Sequence, residues 1–162
     1  VQGDKIFAVQ PGVRAVDCLS ASTGRQRWSA AMTDAVSIIG LANNLLVVRT
    51  ESGLRGLKAS DGSLAWQTDI ANLYCFPLLD DERLLVASRE PVADAASEYV
   101  IRLKWLNPAD GKQLGTTLLA DLKGTDPRLG PLVSTGNRLF TFFGNGQHEP
   151  TRDVVELLPI QQ

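Results

Sequence analysis

Apolar positions along this chain fall in short runs rich in Val, Leu, Ile and Phe: Lys5 to Val9, Leu45 to Arg49, Leu84 to Ala87 and Arg138 to Phe143. Such runs suit strands, whereas an amphipathic helix needs apolar positions at i, i+3, i+4 and i+7 sustained over roughly ten or more residues. No helical stripe lasts beyond about two turns, and the one candidate, Val92 to Ser97, is too short to shape the fold. Each run is bounded by residues that tolerate the dihedrals of tight turns: Gly3-Asp4, Asn43-Asn44, Asp80-Asp81-Glu82 and Thr135-Gly136-Asn137. The pattern predicts an all-β chain.

The turns and runs also repeat. Three segments share one arrangement: Cys18 to Gly24 followed by Arg25 to Trp28, Gly56 to Gly62 followed by Ser63 to Trp66, and Trp105 to Gly111 followed by Lys112 to Gly115. Leu19, Leu57 and Leu106 each stand five residues before the glycine, and Trp28 and Trp66 stand four after it. The third repeat has Gly115 in that place. Upstream, Ile6, Leu45 and Leu84 are 39 residues apart, and Leu139 follows 55 later. A period near 40 is that of a four-stranded propeller blade.

A repeat then reads as four strands, A to D, for example Val36 to Ile39, Leu45 to Arg49, Leu54 to Lys58 and Leu64 to Thr68. Gly24, Gly62 and Gly111 supply the positive φ of the turn between C and D. Trp28 and Trp66 supply large apolar bodies, and their fixed spacing from the glycine is what a packing role between neighbouring blades requires. Trp105 stands on strand C where its counterparts are Cys18 and Gly56, and is expected to compensate for Gly115 as a core residue.

A Thr-Gly or Asp-Gly turn with Trp four residues on, recurring at this period, resembles the PQQ-like β-propeller repeat. The resemblance covers nearly the whole chain. It implies an all-β propeller of four-stranded antiparallel blades, in a family that spans quinoprotein alcohol dehydrogenases and noncatalytic propellers of the bacterial envelope. The full motif of that family has Ala six residues and Asp four residues before the glycine. Here those places hold Cys18 and Ser20, Gly56 and Lys58, and Trp105 and Asn107, so the blades are degenerate. The enzymes of the family bind their quinone beside a disulfide of adjacent cysteines and a calcium ion. This chain has no adjacent cysteines, only Cys18 and Cys75 on different repeats, and no calcium-loop density of Asp, Glu and Asn. No cofactor and no catalytic residue are therefore assigned.

Counted from the first run, the strands read B-C-D, A-B-C-D, A-B-C-D and A-B-C, in repeats of about 1–34, 35–70, 71–127 and 128–162. That is about three and a half blades, where rings typically close with about four to eight. The segment is expected to be the C-terminal part of a larger propeller, or to complete itself by association through open blade edges.

Charge narrows the partners. Sixteen Lys and Arg against eighteen Asp and Glu give a net charge of −2, with no basic run for nucleic acid. The longest apolar stretch, Ile38 to Val48, is broken by Asn43 and Asn44 and falls short of a membrane span. Extra length is expected in three connections on one face: Arg89 to Glu98, Ala120 to Arg128 and Gly144 to Asp153. They carry Arg89, Glu90, Asp94, Glu98, Lys123, Asp126, Arg128, His148, Glu149, Arg152 and Asp153, a mixture of signs that suits a protein partner. Solvated loops without a partner are the alternative. His148 is the sole histidine, with no second His or nearby Cys to build a metal site or a triad, and no G-x-S-x-G elbow occurs. Cys18 and Cys75 read as buried thiols, with a disulfide between them left open.

The expectation is a noncatalytic scaffold or interaction module, extracytoplasmic by resemblance, whose partner is a protein or the remaining blades. The alternative is a fragment of a quinoprotein-type oxidoreductase whose cofactor residues lie elsewhere.

Overall fold

A computed structural model describes residues 3–10, 12, 14–74, 77–79, 82–93, 97–135, 138–144 and 153–157. Every regular element among them is a strand. β1 (Lys5–Gln10), β2 (Ala15–Ser20) and β3 (Gln26–Ala31) form an antiparallel three-stranded sheet. β4 (Ala35–Ala42), β5 (Leu45–Thr50), β6 (Gly53–Lys58) and β7 (Leu64–Asp69) form a four-stranded meander. β8 (Leu78–Leu79), β9 (Leu84–Pro91), β10 (Tyr99–Leu106) and β11 (Gln113–Gly124) follow in the same order. In the last sheet β12 (Arg128–Leu129) and β13 (Val133–Thr135) both pair with β14 (Arg138–Gly144), whose other edge takes β15 (Asp153–Leu157). β12 and β13 act as one strand interrupted at Gly130-Pro131-Leu132, where Pro131 has no N–H to give to the ladder. The sheets thus follow the B-C-D, A-B-C-D, A-B-C-D, A-B-C order expected from the repeat.

The chain divides into two compact units. The first comprises Val1–Ala71, Leu79–Leu84 and Leu106–Lys112; the second comprises Asn72–Leu78, Leu85–Trp105 and Gln113–Gln162. The core of the first unit gathers Val16, Met32, Leu46, Val48 and Leu57, flanked by Phe7, Val9, Trp28 and Ile38. Its central strand β5 is buried at Leu46, Val47 and Val48 in succession, as expected of a strand covered on both faces. The core of the second unit gathers Leu85, Ala87, Ile101, Leu103, Leu129 and Leu132, with Tyr74, Trp105, Leu119, Leu139 and Phe143 against it.

Within the first unit each tryptophan lies under the turn glycine of the next repeat. A Cβ on Gly62 would come 2.6 Å from Cε3 of Trp28, and one on Gly111 2.5 Å from Cε3 of Trp66. The Trp28 indole N–H donates to Ala59 O at 3.3 Å, and that of Trp66 to Pro108 O at 2.9 Å. Both acceptors stand three residues before the glycine. These glycines are needed twice over: for φ of +77° and +71°, and for the missing Cβ that lets the ring approach. Gly24 has φ +69° but open space around its Cβ position, so there only the turn requires it.

The strand C residue facing each ring is constrained in turn. Cys18 pairs with Trp28 and Gly56 with Trp66 across the ladder, and a Cβ on Gly56 would meet Nε1 of Trp66 at 2.3 Å. The third repeat exchanges the two sizes, with Trp105 in the small position and Gly115 in the large one. Trp105 is half-buried on the second unit's core.

Candidate functional site

The residues expected to form a contact face separate into distinct places. Arg89 and Glu90 belong to strand β9, which runs to Pro91, and Lys123 belongs to β11, which runs to Gly124. The corresponding connections shrink to residues 92–98 and 125–127, so the loops expected at Arg89 to Glu98 and Ala120 to Arg128 are shorter than the charge pattern suggested. A charged side chain does not end a strand when the ladder still offers partners. The Arg89 N–H donates to Asn72 O at 3.1 Å, and the Val92 N–H closes the hairpin on Glu98 O at 2.9 Å. Cys75, Asp94, His148, Glu149 and Arg152 lie outside the described residues.

Successive strand residues point to opposite faces, and this parts Arg89 from Glu90. Glu90 accepts Nε of Arg102 on both carboxylate oxygens at 2.8 Å, with Nζ of Lys104 4.0 Å away. Arg89 shares its face with Leu85 and Ala87 of the core and emerges at the core's edge.

There its guanidinium carbon lies 5.2 Å from the ring centre of Tyr74 and 4.7 Å from that of Tyr99. These are the chain's two tyrosines. Nη2 of Arg89 donates to Oδ1 of Asp126 at 2.7 Å, and the other oxygen, Oδ2, accepts Nε of Arg128 at 2.8 Å, with Nη2 of Arg128 in an ion pair with it at 2.6 Å. The Arg128 hydrogen bonds, followed by the charges of Arg128 and Arg89, hold the Asp126 carboxyl below its ordinary pKa, and Asp126 raises that of Arg128. Glu98 directly precedes Tyr99 and is half-buried.

The cluster joins Arg89 at the end of β9 and Tyr99 at the start of β10 to Asp126 and Arg128 at the start of the last sheet. Sequence reasoning named Arg89, Asp126 and Arg128 and missed Tyr74 and Tyr99. Strand parity could have found Tyr99, because Tyr99, Ile101 and Leu103 alternate onto one face as Leu85, Ala87 and Arg89 do. Cys18 is a buried free thiol, and burial raises its pKa. Among the described residues no three His, Cys, Asp or Glu side chains come together as a metal ion would need. The calcium and adjacent-cysteine set of a quinoprotein does not fit these residues.

The repeat, the meanders and the ring-on-glycine packing identify the architecture, and the sequence profile of one repeat family, described as outer membrane protein assembly factor BamB, matches residues 1–152. The chain belongs to the BamB family. Its described sheets are blades of a β-propeller. The crystal structure of BamB from Moraxella catarrhalis superposes with a TM-score of 0.61 at 20% identity, over 86% of this chain and 44% of that one. The chain thus spans less than half the length of that BamB. A europium-containing methanol dehydrogenase superposes with a TM-score of 0.54 at 15% identity, over 73% of this chain and 23% of that one. At these identities both likenesses concern the fold. None of the curated protein sequences compared with the chain matches it.

Proposed function

We propose that this chain is a noncatalytic part of an outer-membrane-protein assembly factor and works outside the cytoplasm by presenting a contact surface to a protein partner. The observation that carries the reading is the family match over residues 1–152, and the Arg89–Asp126–Arg128 cluster supports it as a candidate contact point. Arginine and tyrosine, the side chains held here at the rim of a packed core, are residue types enriched in protein contacts. The same reading makes the chain a contributor of blades to a larger propeller, completed by further blades or by another chain. Among the described residues no helix is long and apolar enough to cross a membrane.

Two measurements test it. Loss of the protein from its native host should lower the amount of assembled outer-membrane β-barrel protein, and unchanged levels would contradict the assignment. Addition of pyrroloquinoline quinone and calcium with alcohol substrates should give no dye reduction above a heat-treated control. Turnover would overturn the noncatalytic reading.

A further inference from the structure

We propose that the cluster around Arg128 takes a carboxylate from an acidic segment of the partner protein, with the ring of Tyr99 covering the apolar part of that segment. This rests on the contact-surface reading above and names the chemistry of its partner.

A guanidinium offers two edges that can each hold a carboxylate with two parallel N–H bonds. Arg128 turns one edge, Nε and Nη2, onto Asp126. Its side chain is nonetheless 67% exposed, which leaves room for a second carboxylate on the guanidinium. Asp126 cannot swing away to serve an incoming group, because its other oxygen is held by Arg89 at 2.7 Å. Arg89 in turn is fixed between two phenol rings. Arg128 is therefore oriented before any partner arrives, which lowers the ordering cost of the contact.

Charge and shape select the ligand. Two arginines share one aspartate, so these three residues carry one positive charge in excess. Tyr99, 36% exposed, offers an apolar surface with a polar tip. A carboxylate next to an aromatic or aliphatic side chain meets both features. A phosphate on a lipid surface would also suit the guanidinium, but the cluster lacks the several basic residues that binding to an anionic bilayer uses. The peptide is favoured.

The test is an NMR titration of the full chain that follows the Arg128 Nε–H and the Tyr99 ring signals. The probes are a blocked pentapeptide, Asp-Phe-Asp-Leu-Asp, its counterpart with Lys in place of Asp, and phosphatidylglycerol vesicles. The acidic peptide should give a saturable shift of both signals, and the lysine peptide and the vesicles none. Arg128→Gln should weaken the acidic peptide by about tenfold, as loss of a charge-assisted pair implies. Arg128→Lys, which keeps the charge and loses the fork, should weaken it by an intermediate factor. Equal response to the lysine peptide, tighter response to vesicles, or unchanged affinity in Arg128→Gln with a native amide spectrum would overturn the proposal. If the acidic peptide does not bind but Arg128→Gln still lowers outer-membrane protein levels in cells, the contact surface stands and the acidic ligand falls. If neither effect appears, both fall.

Discussion

Gly111→Ala is the substitution that probes the packing between repeats most cleanly. Its φ of +71° costs an L residue about 1 kcal/mol or somewhat more. The added Cβ would lie 2.5 Å from Cε3 of Trp66 and 2.6 Å from Oγ1 of Thr68, both far inside van der Waals contact. Trp66 is only 7% exposed and cannot yield outward without uncovering core. Displacing it strains the core by about 1 to 3 kcal/mol and weakens the indole hydrogen bond to Pro108 O, worth about 1 kcal/mol. The Thr68 hydroxyl donates to Gly111 O at 2.7 Å and would be disturbed as well. The expected loss is about 2 to 5 kcal/mol. Gly24→Ala is the control, since its φ of +69° carries the same backbone cost while its Cβ position is open. It should lose only about 1 kcal/mol. Urea unfolding followed by tryptophan fluorescence measures both. Equal losses in the two variants would show that the turn conformation alone explains these glycines and that the ring-on-glycine contact contributes nothing.

Further outcomes follow from other contacts. Trp105→Ala, which removes a half-buried ring from the second unit's core, should cost about 2 to 4 kcal/mol by chemical denaturation, and a near-neutral result would place the ring outside the core. Asp34→Asn should cost about 1 to 2 kcal/mol, because Arg55 Nη1 and Nη2 donate to Oδ1 and Oδ2 of Asp34, each at 3.0 Å, in a pair 23% exposed on both sides; an unchanged midpoint would refute it. The pH response is fixed in sign. Asp126 has a folded pKa below its unfolded value, so its stabilising effect is full above the unfolded carboxylate pKa and is lost as pH falls through the folded one. Asp126→Asn should flatten part of the acid limb of stability against pH, and an identical acid limb would contradict the Arg128 hydrogen bonds as its cause.

The strands were legible because their apolar runs are short and closed by turn residues. Leu45 to Arg49 and Leu54 to Lys58 became β5 and β6 with ends shifted by a single residue. Trp28 and Trp66 were legible as packing residues from their fixed distance to Gly24 and Gly62. The second duty of Gly62 and Gly111 was not, because it depends on a ring from the preceding repeat, about 35 to 45 residues earlier in the chain and near only once the fold exists. The candidate face was half legible. Charge density picked out Arg89, Asp126 and Arg128 but treated Arg89 and Glu90 as one loop, although strand alternation sends them to opposite faces. Tyr74 and Tyr99 escaped because a tyrosine at the edge of an apolar run reads as core, and only the fold sets both rings on one guanidinium.

The claim that this chain works by contact through the Arg128 cluster meets its most direct test in cells that lack the native protein. They would be complemented with wild type or Arg128→Gln at matched abundance, and the level of assembled outer-membrane β-barrel protein would be measured. The expected result is a level in the Arg128→Gln cells close to that of the deletion, with the variant protein accumulating normally. Full restoration by Arg128→Gln would contradict the account.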